Sequence, residues 1–226
     1  MTSAFAKELF IMMSPRLPAP RPLVWPLRPV ESARRSVVQH GERTVVTIRH
    51  APLRGVTPEM LSWWYRHVPG DMAYAGSTYP RYLVWHPLDH IDYVVTARAQ
   101  SGGVATGARL HITEALQRNM ENLLDIHVEV TEMREGRAVI AKLILGTSLI
   151  QLTNEFTACP AGASYVTTMT IGDETALGKL VLNQIAHRKA FPPRRIEPWM
   201  RHHVEEIGNL ENFLPDLFRL RSPHEG

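Results

Sequence analysis

Residues 126–171 read IHVEVTEMREGRAVIAKLILGTSLIQLTNEFTACPAGASYVTTMTI. Apolar and polar residues alternate through Ile126–Arg134, Ala138–Leu145, Ser148–Thr157 and Tyr165–Ile171, and a period of two marks strands with one buried face. The interruptions, Glu135-Gly136, Gly146-Thr147 and Pro160-Ala161-Gly162, are turn chemistry. Connections this short join antiparallel neighbours, so the stretch predicts a meander. Upstream, Ala108–Leu116 and Tyr82–His86 extend the series to six strands, and Arg43–His50 alternates well enough for another. Downstream the period becomes helical. Asp173-Glu174 can cap a helix through about His187, Phe191-Pro192-Pro193-Arg194 breaks it, and Pro198 opens a second helix. Strands followed by helices predict an α+β fold, a curved antiparallel sheet gripping a long C-terminal helix.

The flanks are read the same way. Thr57-Pro58-Glu59 supplies an N-cap, a proline at the first helical position and an acid in the first turn, predicting a helix to about Val68. Its stripe Met60, Trp63, Trp64 and His67 reads as core or pocket wall. Residues 14–30 carry six prolines and predict an extended arm. We divide the chain into an arm, 1–42, and a single domain, 43–226. Leu23, Val24, Trp25 and Leu27 are costly to leave in water, so the arm is expected over the domain or over a second subunit of a homodimer.

With 226 residues, 44% of them apolar, the chain can bury one ordinary core. A formal charge of +3 with no Lys/Arg runs argues against a nucleic-acid partner. The apolar patch Leu9–Met13 is too short to span a bilayer and lacks a small-residue cleavage pattern, so a cytoplasmic protein without a membrane partner is expected. Cys159 stands alone, which rules out an intrachain disulfide and a thiolate zinc cluster. Any metal must therefore use histidine and carboxylate.

Three segments offer such ligands. On a helix from Pro198, the residues Trp199, His202, Glu206 and Leu210 share one face, where a His and a Glu four apart can converge on one ion. The same spacing also serves an ordinary surface pair worth about 0.2–0.5 kcal/mol, so it leaves both readings open. On the strand from Ala108, Glu114 continues the apolar row Leu110 and Ile112, and a buried carboxylate must neutralise or find a cation. Glu121, the competing acid, lies in the polar run 117–122 and reads as solvated. In YPRYLVWHPLDH, residues 79–90, a strand would put Tyr82, Val84 and His86 on one face and Leu83 and Trp85 on the other. Pro87 would end it, leaving His90 free to turn inward. His86 reads as a packing or hydrogen-bonding histidine.

The motifs WHPLDH (85–90), GARLHITE (107–114) and above all HHVEEIGNLENFLP (202–215) resemble those of the diacetylphloroglucinol and phloretin hydrolases, metal-dependent hydrolases of carbon–carbon bonds. The resemblance runs from about Ser62 to Phe218. It implies a helix-grip fold, like that of Bet v 1 and START proteins, and one zinc ion per chain held by His90, Glu114, His202 and Glu206. It also implies a pocket tyrosine at Tyr82 and an acyl phloroglucinol-like substrate, cleaved to a phenol and a carboxylic acid. On the strand 150–156 the inward face reads Ile150, Leu152, Asn154 and Phe156, where relatives are expected to carry a substrate-facing histidine. Asn154 cannot relay a proton as imidazole does. Tyr82 and Asn154 are therefore expected to orient the substrate, with Trp63, Trp64 and Trp199 as aromatic walls. The alternative is a helix-grip carrier that holds a polyketide, aromatic or lipid ligand without turnover. Two histidines and two glutamates converging in an apolar cavity argue against it, because they are costly there without an ion.

Overall fold

The computed structural model describes residues 17–176 and 178–221. The apolar patch Leu9–Met13 lies outside the described residues. Alternation becomes sheet where expected at β7 (Arg109–Ala115), β8 (Leu123–Arg134), β9 (Arg137–Ile144), β10 (Thr147–Cys159) and β11 (Gly162–Ile171), and β6 (His90–Ala97), a strand the sequence did not predict, precedes them in a sequential antiparallel meander. On the far side of β11 the sheet continues through β2 (Arg43–Arg49) to β1 (Arg34–His40), while the short β3 (Leu53–Arg54) also pairs with β11. β1 lies in the segment that the sequence reading assigned to the arm. A separate hairpin, β4 (Asp71–Tyr74) and β5 (Ser77–Pro80), precedes β6.

The predicted strand Tyr82–His86 is instead a short helix, Arg81–Trp85. Arg81, Tyr82, Val84 and Trp85 are all buried there, so no solvent-facing side exists for a period of two to report. The first helix, Pro58–His67, begins as read, with the Thr57 hydroxyl accepting from Met60 N–H at 3.2 Å. Between Asp173 and Phe191 the expected regular helix is an irregular one, with π-turns at Gly178–Leu182 and Ala186–Ala190. The C-terminal helix spans Ile196–Arg219, and Pro198 falls in its first turn, where the missing N–H had no partner to lose.

That helix is gripped by the sheet. Ile207, Leu210, Phe213 and Leu214 are buried against Trp64, Trp85 and Phe156, each contributing about 1.5–3 kcal/mol of transfer free energy. Lower in the same helix, Trp199, Met200 and Val204 join Ile48, Ile150 and Met169 in a second cluster. The arm lies over this domain: Trp25 packs on Tyr74 and Phe213, while Leu23 and Val24 stay exposed. Gly208 makes room for it, since a Cβ there would come within 2.7 Å of the Arg28 side chain. Among the described residues no helix is long and apolar enough to cross a membrane.

Candidate metal centre

Backbone register assembles the centre. β6 and β7 pair with His90 directly opposite Glu114, and the C-terminal helix presents His202 and Glu206 one turn apart. His90 Nε2 lies 3.6 Å from Glu114 Oε1 and 3.4 Å from Glu206 Oε2. His202 Nε2 lies 3.6 Å from Glu114 Oε2 and 3.9 Å from Glu206 Oε2. His90, Glu114 and His202 each offer a ligand atom within 4.8 Å of the other two, and Glu206 faces both histidines from the helix. Glu121 does not join them; it is exposed on a short turn, Met120–Asn122.

The outer ring nitrogens are fixed. His90 Nδ1 donates to the Tyr82 carbonyl at 2.6 Å, and His202 Nδ1 donates to Asp89 Oδ2 at 2.9 Å. Both Nε2 atoms are then left facing the glutamates, buried and without a hydrogen-bond partner among the described residues. Two orphaned ring nitrogens against two carboxylates are what a bound cation would satisfy. The histidine-to-carboxylate distances of 3.4–3.9 Å are close to the separation of about 3.3–3.4 Å between ligand atoms of a tetrahedral zinc with bonds of about 2.0–2.1 Å. Charge points the same way. Burial alone would lower the His202 pKa, but Glu114 and the hydrogen bond to Asp89 raise it to about 9. Burial would push the Glu206 carboxyl up, yet His203 beside it holds it well below the usual carboxylate range.

Asp89 was not read as a site residue, although it stands next to His90 in the sequence. Its carboxylate also accepts from the backbone N–H groups of Gln117 and Arg118, at 2.8 and 3.1 Å. These bonds close the loop after β7 around His202. His86 is a packing and hydrogen-bonding histidine: it stacks on His202 at 4.4 Å and bonds Glu205 at 3.1 Å. The arm reaches the centre as well, since the Arg21 guanidinium donates to the His90 carbonyl.

Tyr82 does three things at once. Its carbonyl takes the His90 proton, its ring stacks on His90 at 3.8 Å, and its hydroxyl donates to Glu114 Oε1 at 2.5 Å. Burial, reinforced by Glu114, pushes the phenol pKa far up, so it remains a donor. Asn154 accepts from the Thr167 hydroxyl at 3.0 Å, and that hydroxyl also faces His203 Nε2 at 2.8 Å. His203 in turn pairs with Glu206. Its signal in the sequence was its place three residues before Glu206, but an adjacent His-His pair does not say which ring points inward.

Two cavities of about 80 and 90 Å³ meet at the centre and share Glu114, His203 and Glu206. The first is lined by Tyr65, Tyr82, Tyr93 and Asn154 among apolar residues. The second is lined mainly by aliphatic side chains with Phe191 and Trp199. Trp63 and Trp64 line neither. Trp63 stacks on His67 at 4.8 Å, and Trp64 meets Trp85 and Phe213 at 5.3 and 5.2 Å. Helical spacing put them on the buried face, and the long C-terminal helix covers that face.

The family model described as the DAPG hydrolase PhiG domain matches residues 37–219. The chain belongs to this DAPG hydrolase family. No curated protein matches the sequence significantly. Among solved structures, the KanY protein (ms6282) is 12% identical with a TM-score of 0.48, covering 75% of this chain and 94% of its own. Ara h 8.0201 is 9% identical with a TM-score of 0.45, covering 76% and 99%. The AHSA1-like protein of Aeromonas hydrophila is 14% identical with a TM-score of 0.40, covering 75% and 94%. In this family member the α+β helix-grip arrangement rests on its own strand order and C-terminal helix.

Proposed function

We propose that the chain is a zinc-dependent hydrolase of the carbon–carbon bond between an acyl group and a polyhydroxylated aromatic ring, releasing a phenol and a carboxylic acid. Family membership supports the reaction class. The observation that carries the reading is the pair of buried atoms His90 Nε2 and His202 Nε2, without a hydrogen-bond partner among the described residues and facing Glu114 and Glu206 where two cavities meet. A zinc ion held by these four residues would polarise the acyl carbonyl and acidify water at neutral pH.

The chain's own residues supply the rest. With zinc bound in place of the His202 Nε2 proton, Asp89 and the Tyr82 carbonyl would hold both histidines in the tautomer whose Nε2 carries a lone pair. The Tyr82 hydroxyl holds the Glu114 carboxylate, and His203 holds Glu206. Asn154, with its oxygen engaged by Thr167, has its amide N–H groups to offer a ring hydroxyl or carbonyl in the first cavity. The apolar walls exclude bulk water. A ring with ortho hydroxyls can shift to its keto tautomer. Water adds to the acyl carbonyl carbon, the acyl–ring bond breaks, and its electron pair passes onto the ring oxygen as an enolate. The acyl-bearing ring carbon already carries the proton it took in the keto tautomer, so this enolate is the phenolate, and protonation of its oxygen gives the phenol.

Product analysis tests this. Metal-loaded protein should convert acyl phloroglucinols to phenol and carboxylate, with oxygen-18 from water in the carboxylate, and should leave the matching aryl ketone without ring hydroxyls intact. Stable binding of a panel of acyl phenols without products would replace this reading with that of a carrier.

A further inference from the structure

Lys142 is anomalous on the inner face of the sheet. It pairs with Ile150 on β10, and the pairing of Ala141 with Glu129 sets it beside Val128 on β8. All three side chains line the second cavity, where Lys142 is half-buried. Among the described residues no ion pair or hydrogen bond engages its ammonium. It is also the one Lys or Arg among the residues lining either cavity.

The two cavities differ in what they can recognise. The first presents the Tyr93 hydroxyl and the Asn154 amide to a hydroxylated ring, the Tyr65 and Tyr82 hydroxyls being engaged by Tyr165 and Glu114. The second presents walls such as Leu124, Ile126, Ile150 and Met169, partners for a hydrocarbon chain. Because both reach Glu114 and Glu206, a bond cleaved at the centre has its ring in the first and its acyl chain in the second. We infer that the preferred acyl chain ends in an anionic group, a carboxylate, which Lys142 pairs. This rests on the acyl-phenol reading above. A cation framed by Val128 and Ile150 strengthens its attraction for an anion by the low polarity around it, and a charge-assisted contact of this kind separates paired from unpaired ligands by about tenfold to a hundredfold.

The test uses two acyl phloroglucinols with chains of equal length, one ending in methyl and one in carboxylate, on the metal-loaded full chain. Wild-type kcat/KM should favour the carboxylate about tenfold to a hundredfold, mostly through KM. Lys142→Met should abolish that preference, read as the ratio of the two kcat/KM values within the variant, and Lys142→Arg should restore it. An unchanged ratio in Lys142→Met would overturn the inference, because a lysine that merely extends its ammonium into water is indifferent to the tail. If wild type cleaves neither compound, calorimetric binding decides. Tighter binding of the carboxylate that depends on Lys142 keeps the anion site and removes the hydrolase reading; equal binding, or none, removes the anion site.

Discussion

Replacing Asp89 with Asn keeps the side chain's shape and removes an acceptor. Asp89 is 2% exposed, so water cannot stand in for a lost partner. Its Oδ2 serves His202 Nδ1 at 2.9 Å and Gln117 N at 2.8 Å, and its Oδ1 serves Arg118 N at 3.1 Å. An Asn has one acceptor oxygen. If its NH₂ faces Arg118, two donors oppose each other. If it faces His202, the ring escapes the clash only by moving its proton to Nε2, the atom the metal needs. Each buried donor left over costs about 1–3 kcal/mol. Loss of such an outer partner weakens metal binding about 10–100-fold, or about 1.4–2.8 kcal/mol. Competition with a chromophoric chelator should show that rise in zinc Kd, and the stability gap between apo and metal-loaded protein should narrow by the same free energy, as linkage requires. An unchanged Kd, with both forms destabilised equally, would refute the reasoning and make Asp89 a purely structural residue.

His202→Ala should deplete bound zinc, as measured by elemental analysis, whereas Glu121→Ala should retain it, because Glu121 stands exposed outside the cluster. Tyr82→Phe keeps the stacking on His90 and loses the bond to Glu114; steady-state kinetics should show kcat/KM lowered on the order of tenfold to a thousandfold. Arg21→Ala removes the arm's contact with the His90 carbonyl. Denaturant melts should show a loss of about 1.5–3 kcal/mol, and limited proteolysis should cut the arm sooner.

Sequence alone determined the meander and the helix that follows it, because both carry a periodic burial signal: one face of β8–β11 is wet and the other dry, and Trp199, His202, Glu206 and Leu210 repeat at the helical interval. It also narrowed the ligands to histidine and carboxylate, since one cysteine cannot build a thiolate site. The helix at Arg81–Trp85 was not legible: five residues buried on nearly every side have no period to display. Nor did periodicity distinguish a core tryptophan from a pocket tryptophan, because Trp63, Trp64 and Trp199 are all apolar-face residues on helices. Only the packing of the C-terminal helix, over Trp64 in one place and open to a cavity at Trp199 in another, separates them. The same holds for Asp89 and Tyr82, whose acceptor and donor atoms acquire their meaning from Glu114, Gln117 and His202, residues 28 to 113 positions away that only the folded chain brings within hydrogen-bond reach.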